Sequence, residues 1–276
     1  MCIFKISESE FFIMKRFIND TKKFWNYTIY SIQSDLKAEV AGSFLSWMWW
    51  ILDPLLYMLV YTFVAVFVFN SNEPYFPVFV FIGLNVWTFF SKVVKSGVKL
   101  IQGKKSIVTK VYIPKFVFIF DRVGVFGVKM FISFILTAIF MVIYRVPVTW
   151  KALWVIPLFL LLFIITYACT TIITHFGVFV EDLLNVITVV LQLGFYVSGI
   201  FYSIETRILP KNELIGNLLI NCNPIALIMT DMRNVLLYDG EPHYIALAVW
   251  TVIGIVVSAI GTRIIYKHEN SYVKVI

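Results

Sequence analysis

Three histidines, His175, His243 and His268, are the residues of this chain best suited to acid–base or metal chemistry. They stand far apart in the sequence, and Glu181-Asp182 begins six residues beyond His175. There is no His-x-x-x-His pair, no Gly-x-Ser-x-Gly turn and no pair of carboxylates inside one apolar stretch. Metal-assisted and nucleophilic catalysis therefore lack their usual constellations. One segment approaches a phosphate-binding loop: Gly97-Val-Lys-Leu-Ile-Gln-Gly103-Lys104-Lys105-Ser106. Such a loop needs four residues between its glycines and a Ser or Thr directly after the lysine, so that backbone N–H groups cradle phosphate and the hydroxyl meets magnesium. Here five residues intervene, and Lys105 occupies the hydroxyl position. ATP is not bound by that route. Cys2, Cys169 and Cys222 share no short spacing and indicate neither a disulfide framework nor a metal site.

What remains is charge and its placement. Residues 92–115 carry seven lysines (Lys92, Lys95, Lys99, Lys104, Lys105, Lys110 and Lys115) and no acid, between two strongly apolar stretches. In a membrane protein the positive-inside rule makes such a segment a cytoplasmic loop. The composition agrees: 60% of the 276 residues are hydrophobic and 14% are charged, with a mean hydropathy of +0.87. A soluble domain carries about 25% charged residues. The chain belongs to the membrane class. Its 27 Phe, 14 Tyr and 8 Trp suit bilayer interfaces or a path for a bulky solute.

A membrane-spanning helix needs about 20 apolar residues. Stretches of that kind run at 48–69, 76–94, 117–144, 152–173, 183–203 and 244–266. The third begins with Asp121-Arg122 and carries Lys129; these charges are expected to face protein, to pair with each other or to reach the cytoplasmic surface. Lysine and arginine counts orient the chain. Six precede residue 48, seven follow the second span, and Arg263, Lys267 and Lys274 lie at the C-terminal end. The opposite loops are poorer, so both termini are expected to be cytoplasmic. The short loop 174–182 dissents, with no Lys or Arg.

No cleavable signal peptide is expected at the N-terminus. Residues 20–40 instead read as an amphipathic helix, with Asp20 and Thr21 at its start and Trp25, Ile29, Ile32, Leu36 and Val40 on one face. It suits the cytoplasmic membrane surface or the side of another subunit. Between the fifth and sixth spans, 204–243 is too polar to cross. Its apolar runs at 214–220 and 225–230 fit re-entrant or interfacial helices.

An ordered set of segments now resembles a known family. Gly42-Ser-Phe-Leu-Ser-Trp-Met-Trp-Trp-Ile-Leu-Asp-Pro54, running into Tyr57–Phe69, is similar to the first-span signature of ABC-2 type permeases of polysaccharide exporters. Lys110-Val-Tyr-Ile-Pro-Lys115 resembles the segment these permeases carry before their third span. Ser198-Gly-Ile-Phe-Tyr202, Asn223-Pro224 and Asp231-Met-Arg-Asn-Val-Leu-Leu-Tyr238 resemble their fifth-span end and outer re-entrant region. The likeness covers about residues 25–270. It departs at Asp53, where the family commonly has Asn, and in the polar Ser203–Arg207.

The resemblance implies an all-α integral membrane protein of the bacterial inner membrane: a cytoplasmic segment 1–47, then one transmembrane domain over 48–276. It implies a permease that pairs with a second copy of itself and with two ATPase subunits, which bind ATP and magnesium. The cargo would be a lipid-linked glycan such as O-antigen, capsule or teichoic acid. The chain itself would be no enzyme, hold no cofactor and bind no nucleic acid. Lys104, Lys105, Lys110, Tyr112, Ile113, Pro114 and Lys115 would form the contact with the ATPase. Two helical faces are then candidates for the glycan path: Trp50, Asp53, Tyr57 and Tyr61 on the first span, and Gln192, Tyr196, Gly199 and Ser203 on the fifth. Sugars stack on aromatic faces; the other role for these residues is helix packing. Alternative readings are an ABC-2 exporter of drugs or small lipids and, in another class, a membrane-embedded glycan-modifying enzyme or scaffold.

Overall fold

A computed structural model describes residues 2–41, 46–68 and 73–275, without the side chains of 2–14, Ser46, Ala65 and Val68. The first four residues of the first-span signature (42–45), Phe69 and residues 70–72 of the loop after the first expected span lie outside the described residues. All regular structure described is helical. In order the helices are α1 (Cys2–Ala41), α2 (Ser46–Phe63, continued by a π-helical turn Val64–Val68), α3 (Phe76–Val98), α4 (Leu100–Gly103), α5 (Lys105–Val108) and α6 (Phe116–Ile143). A 3-10 turn, Trp150–Trp154, then leads into α7 (Val155–Phe179). α8 (Leu183–Val197), α9 (Ile204–Arg207), α10 (Glu213–Cys222), α11 (Pro224–Leu237) and α12 (Tyr244–Val275) complete the chain.

Among the described residues, α3, α6, α7 with its 3-10 turn, and α12 are long and apolar enough to cross a membrane; the bent pair α10–α11 makes a fifth if counted as one span. The first expected span coincides with α2 and its π-helical turn, which together cover 46–68, and the fifth with α8, which is shorter than the sequence pattern suggested. α8 has 15 residues, roughly 22 Å of helix against about 30 Å of hydrocarbon. It stops because the chain turns at Gly199, whose φ of +74° suits glycine. α3 runs on to Val98, so Lys92 and Lys95 belong to its last turns, not to a loop. α7 likewise extends to Phe179, leaving only three residues before α8; the segment 174–182, which lacks Lys and Arg, is mostly helix.

Helix α3 is the hub, packed against α2, α6, α7, α8 and α11. Small residues let its neighbours approach closely, the rule for apolar helices that gain little from a hydrophobic effect within lipid. At Gly177 of α7 a Cβ would collide with the backbone of Val98, and at Gly261 of α12 with the Thr171 side chain. Hydroxyls and amides tie the same contacts. Thr174 Oγ1 donates to Gly97 O at 3.0 Å, Asn85 Nδ2 to Thr137 Oγ1 at 3.0 Å, and Tyr167 bonds Thr262 at 2.9 Å.

α1 begins earlier than residue 20, and only part of its apolar stripe is turned against the bundle. Phe17, Phe24 and Tyr27 pack into a core with Phe116 and Phe120, and Thr28 and Ser31 are buried. Trp25 and Ile29 stay exposed, about 100° round the helix from Thr28. The reason is its partner: α1 leans on α6, where Gly124 is so close to Ile32 that a side chain would collide.

At the other end of the molecule α10 and α11 meet at 98°. Asn223 makes the corner. Its side-chain oxygen caps α11 by accepting from the N–H groups of Ile225 (3.1 Å) and Ala226 (3.3 Å), and Pro224 takes the first helical position. The Asn223 amide donates to Ser198 Oγ at 2.9 Å. Arg233, wholly buried on α11, donates to three carbonyls: Phe79 at 3.1 Å, Gly199 at 2.8 Å and Ile200 at 2.9 Å. It joins α3, the turn after α8 and α11 in one step. Arg233→Met should destabilise the purified protein by about 3 kcal/mol or more, because it strands three buried acceptors. A melting temperature within experimental error of the parent would refute that assignment.

Candidate functional site

Between α2, α3, α6 and α8 lies a cleft of about 690 Å³. α2 supplies Trp49, Trp50, Asp53, Pro54, Tyr57 and Tyr61, so the four residues expected on one face of the first span do line one cavity. Their spacing of three, four and four residues puts them on one helical stripe. α3 adds Asn85, Thr88, Ser91 and Lys92, α6 adds Phe126, Lys129 and Ser133, and α8 adds Phe195. The rings run on from one another. Tyr57 stacks on Tyr61 with centroids 6.2 Å apart, and Tyr61 lies 6.1 Å from Phe195 and 4.6 Å from Phe201. Phe195 continues to Trp87 at 6.0 Å. Such a wall offers flat apolar faces to a ring-shaped polar solute, and the amide and hydroxyls opposite offer hydrogen bonds. Among the described residues no group of three or more His, Cys, Asp or Glu is placed to hold a metal ion.

Glu39, near the end of α1, reaches the same cleft. Its carboxylate accepts from Lys129 Nζ at 2.8 Å, and the ammonium also lies 5.7 Å from the Trp50 ring and 5.2 Å from Phe126. One turn earlier Asp35 meets Lys104 at 3.3 Å and Arg122 at 3.4 Å. Lys104 also faces Asp121 at 3.6 Å. The charges of α6 thus face protein, as their cost in lipid requires, but their partners come from α1 and the basic loop. Asp121 and Arg122 do not pair with each other.

The basic loop has an inner and an outer side. Lys115 is 3% exposed and donates to Ile113 O at 3.1 Å; burial pushes its ammonium below its ordinary value, with Glu269 opposing. Ile113 and Pro114 are buried beside it. Tyr112 is exposed, accepts from Arg16 Nη2 at 2.6 Å and donates to Glu269 at 3.2 Å. Arg16 itself meets Glu269 at 3.0 Å, so the loop is clasped between α1 and the end of α12. Lys104 is turned inward. Lys105 and Lys110 are left on the exposed side.

The fifth-span residues part company. Gln192 and Tyr196 are exposed on α8, while Gly199 and Ser203 lie beyond its last residue, so the four do not share a helical face. Gly199 O accepts from Arg233, and Ser203 Oγ caps α9 by accepting from Thr206 N at 3.2 Å. Phe195, which the sequence pattern passed over, is the α8 residue that meets the cleft. Near the start of α12, His243 Nδ1 lies 2.6 Å from Asp231 and its Nε2 3.6 Å from Glu205. The hydrogen bond to Asp231 raises the His243 value, aided by both carboxylates against burial. His175 bonds Tyr272 at 2.8 Å, with the His268 ring 4.8 Å away. That cluster joins α7 to α12 and lies away from the cleft.

Half-exposed ion pairs contribute roughly 0.2–1 kcal/mol, so Glu39→Lys, which adds repulsion from Lys129, should loosen the end of α1 by about 1 kcal/mol. Amide hydrogen exchange at the end of α1 should then rise several-fold, and Glu39→Lys with Lys129→Glu should restore it. Exchange unchanged by the single variant would contradict a closure made by this pair.

No protein-family model matches the chain. It is 30% identical over 244 residues to the O-antigen export system permease protein RfbA of Myxococcus xanthus, covering 87% of this chain and 92% of that one. Two RfbA proteins of the same description from Klebsiella pneumoniae are 23% and 22% identical, each over 243 residues, 88% of this chain and 92% of theirs. A likeness of that extent, carried by a helical chain rich in membrane-capable spans, places this protein in the ABC-2 type permease family of polysaccharide exporters.

Proposed function

We propose that this permease moves a lipid-linked polysaccharide outward across the bacterial inner membrane, as one of two copies working with two ATPase subunits that bind ATP and magnesium. Its relatives are described as O-antigen export permeases, and O-antigen is the cargo type we assign. The observation that carries the reading is the cleft, where Trp50, Tyr57 and Tyr61 of α2 turn their rings toward Phe195 and the polar groups of α3 and α6. In this reading α2 and α8 complete a set of six spans with both termini in the cytoplasm. α1 is a collar at the cytoplasmic surface, its exposed Trp25 and Ile29 toward the interface. The exposed part of the basic loop, Lys105, Lys110 and Tyr112, meets the ATPase, and the aromatic wall passes sugars by stacking.

The test is to co-express the chain with a cognate ATPase, purify through a tag on the permease and measure ATP hydrolysis in lipid. A stable, active complex is expected; a permease that purifies alone would overturn the pairing. Lys110→Glu should weaken that complex about tenfold, as reversal of an interfacial charge turns attraction into repulsion. Lys115→Glu is no equivalent test, because it buries a carboxylate and should reduce folded yield. Tyr57→Ala and Tyr61→Ala should each lower export about tenfold at unchanged assembly, the loss of one stacking face. If these variants instead fail to assemble, the rings are packing residues.

A further inference from the structure

Lys104 belongs by sequence to the basic loop, yet its ammonium points into the protein. It stands at the break between α4 and α5, its N–H bonded to the carbonyls of Leu100 and Ile101 at 3.3 Å. From there Nζ reaches Asp35 of α1 at 3.3 Å and Asp121 of α6 at 3.6 Å. The Asp121 side chain is wholly buried, and neither of its oxygens has a hydrogen-bond partner. Arg122, its neighbour on α6, turns to Asp35 instead, at 3.4 Å. Two cations and two anions from three separate elements thus form one closed, neutral cluster.

We propose that Lys104 is a positioning residue that binds the basic loop, α1 and α6 into one moving unit, and is not itself a contact for the ATPase. The proposal rests on the reading of the loop as the coupling element. Its physical basis is the asymmetry of buried charge. A loop displacement that withdraws Lys104 leaves Asp121 as a buried anion without a counter-ion, which is strongly unfavourable. A displacement that carries α1 and the start of α6 along keeps every pair intact. The second motion is the accessible one. Movement of the loop therefore reaches the cleft, because Glu39 and Lys129, one turn beyond Asp35 and two beyond Arg122 on the same helices, stand in its wall. Lys105 and Lys110 remain as the outward contacts.

The test compares export per ATP hydrolysed by the full permease–ATPase complex in lipid. Lys104→Met should lower that ratio about fivefold or more, as expected for coupling energies of this kind, with ATP hydrolysis per assembled complex near wild type and a reduced folded yield from the stranded Asp121. Lys104→Arg, which keeps the charge, should restore the ratio. Should the single variant fold poorly, Lys104→Met with Asp121→Asn removes both charges together. That protein should recover its melting temperature and still export poorly per ATP, an outcome that a merely stabilising ion pair would not give. Wild-type export per ATP in either Met variant would overturn the proposal. A wild-type complex that hydrolyses ATP and exports nothing would instead overturn the exporter reading, before any variant is compared.

Discussion

A charge inside an apolar helix bundle must find its partner within the protein. Stranding one buried member of an ion pair costs about 3–5 kcal/mol, enough to unfold many domains. The α1 end of this permease is arranged around that constraint. α6 carries Asp121, Arg122 and Lys129 in a stretch otherwise fit to span a bilayer, and α1 carries the acids that answer the cations. Asp35 takes Arg122 and Lys104, Glu39 takes Lys129, and Asp20 accepts from Tyr266 of α12 at 2.8 Å. The acids of α1 with described side chains all pair with groups on other helices, which leaves Lys15, Lys22, Lys23 and Lys37 exposed. That segregation suits a helix lying between the bundle and an anionic surface.

The same demand for satisfied polar groups shapes the opposite end, with backbone in place of side-chain charge. A chain that turns at Gly199 and again at Asn223 frees carbonyls and N–H groups at depth. Arg233 collects the carbonyls, and Asn223 caps the N–H groups. Between the two ends α3 is held by glycines and threonines of α7, a contact made by shape more than by hydrophobic gain. The cleft opens where this packing gives way: α2 is splayed from α8 by ring contacts instead of small-residue ones, and the space left is lined by Tyr57, Tyr61 and Phe195.

Much of this was legible in the sequence. Runs of about 20 apolar residues located α3, α6, α7 and α12, because that signal depends only on local composition. The stripe Trp50, Asp53, Tyr57, Tyr61 was readable because it needs only helical periodicity. What depended on distant partners was not legible. Lys104 and Lys115 look like their five neighbours in sequence, and only the placement of Asp35, Asp121 and Ile113 turns them inward. Which residues of α1 turn inward is decided by Phe116, Phe120 and Gly124, on a helix some ninety residues away. The end of α8 was misplaced because residues 198–203 remain apolar enough to pass for helix, whereas Gly199 is committed to a turn and to Arg233.

Together these features describe a polysaccharide export permease in which an aromatic cleft is walled at one end by an ion-paired collar of α1 and α6, with a basic loop clasped beneath. The most direct measurement is translocation itself: the permease and its ATPase reconstituted in liposomes with a lipid-linked glycan, scored by the glycan's access to a membrane-impermeant hydrolase. If the cleft is an ATP-driven path, the glycan crosses only when ATP and both proteins are present. Hydrolysis of ATP with no glycan crossing, or crossing without the ATPase, would contradict it.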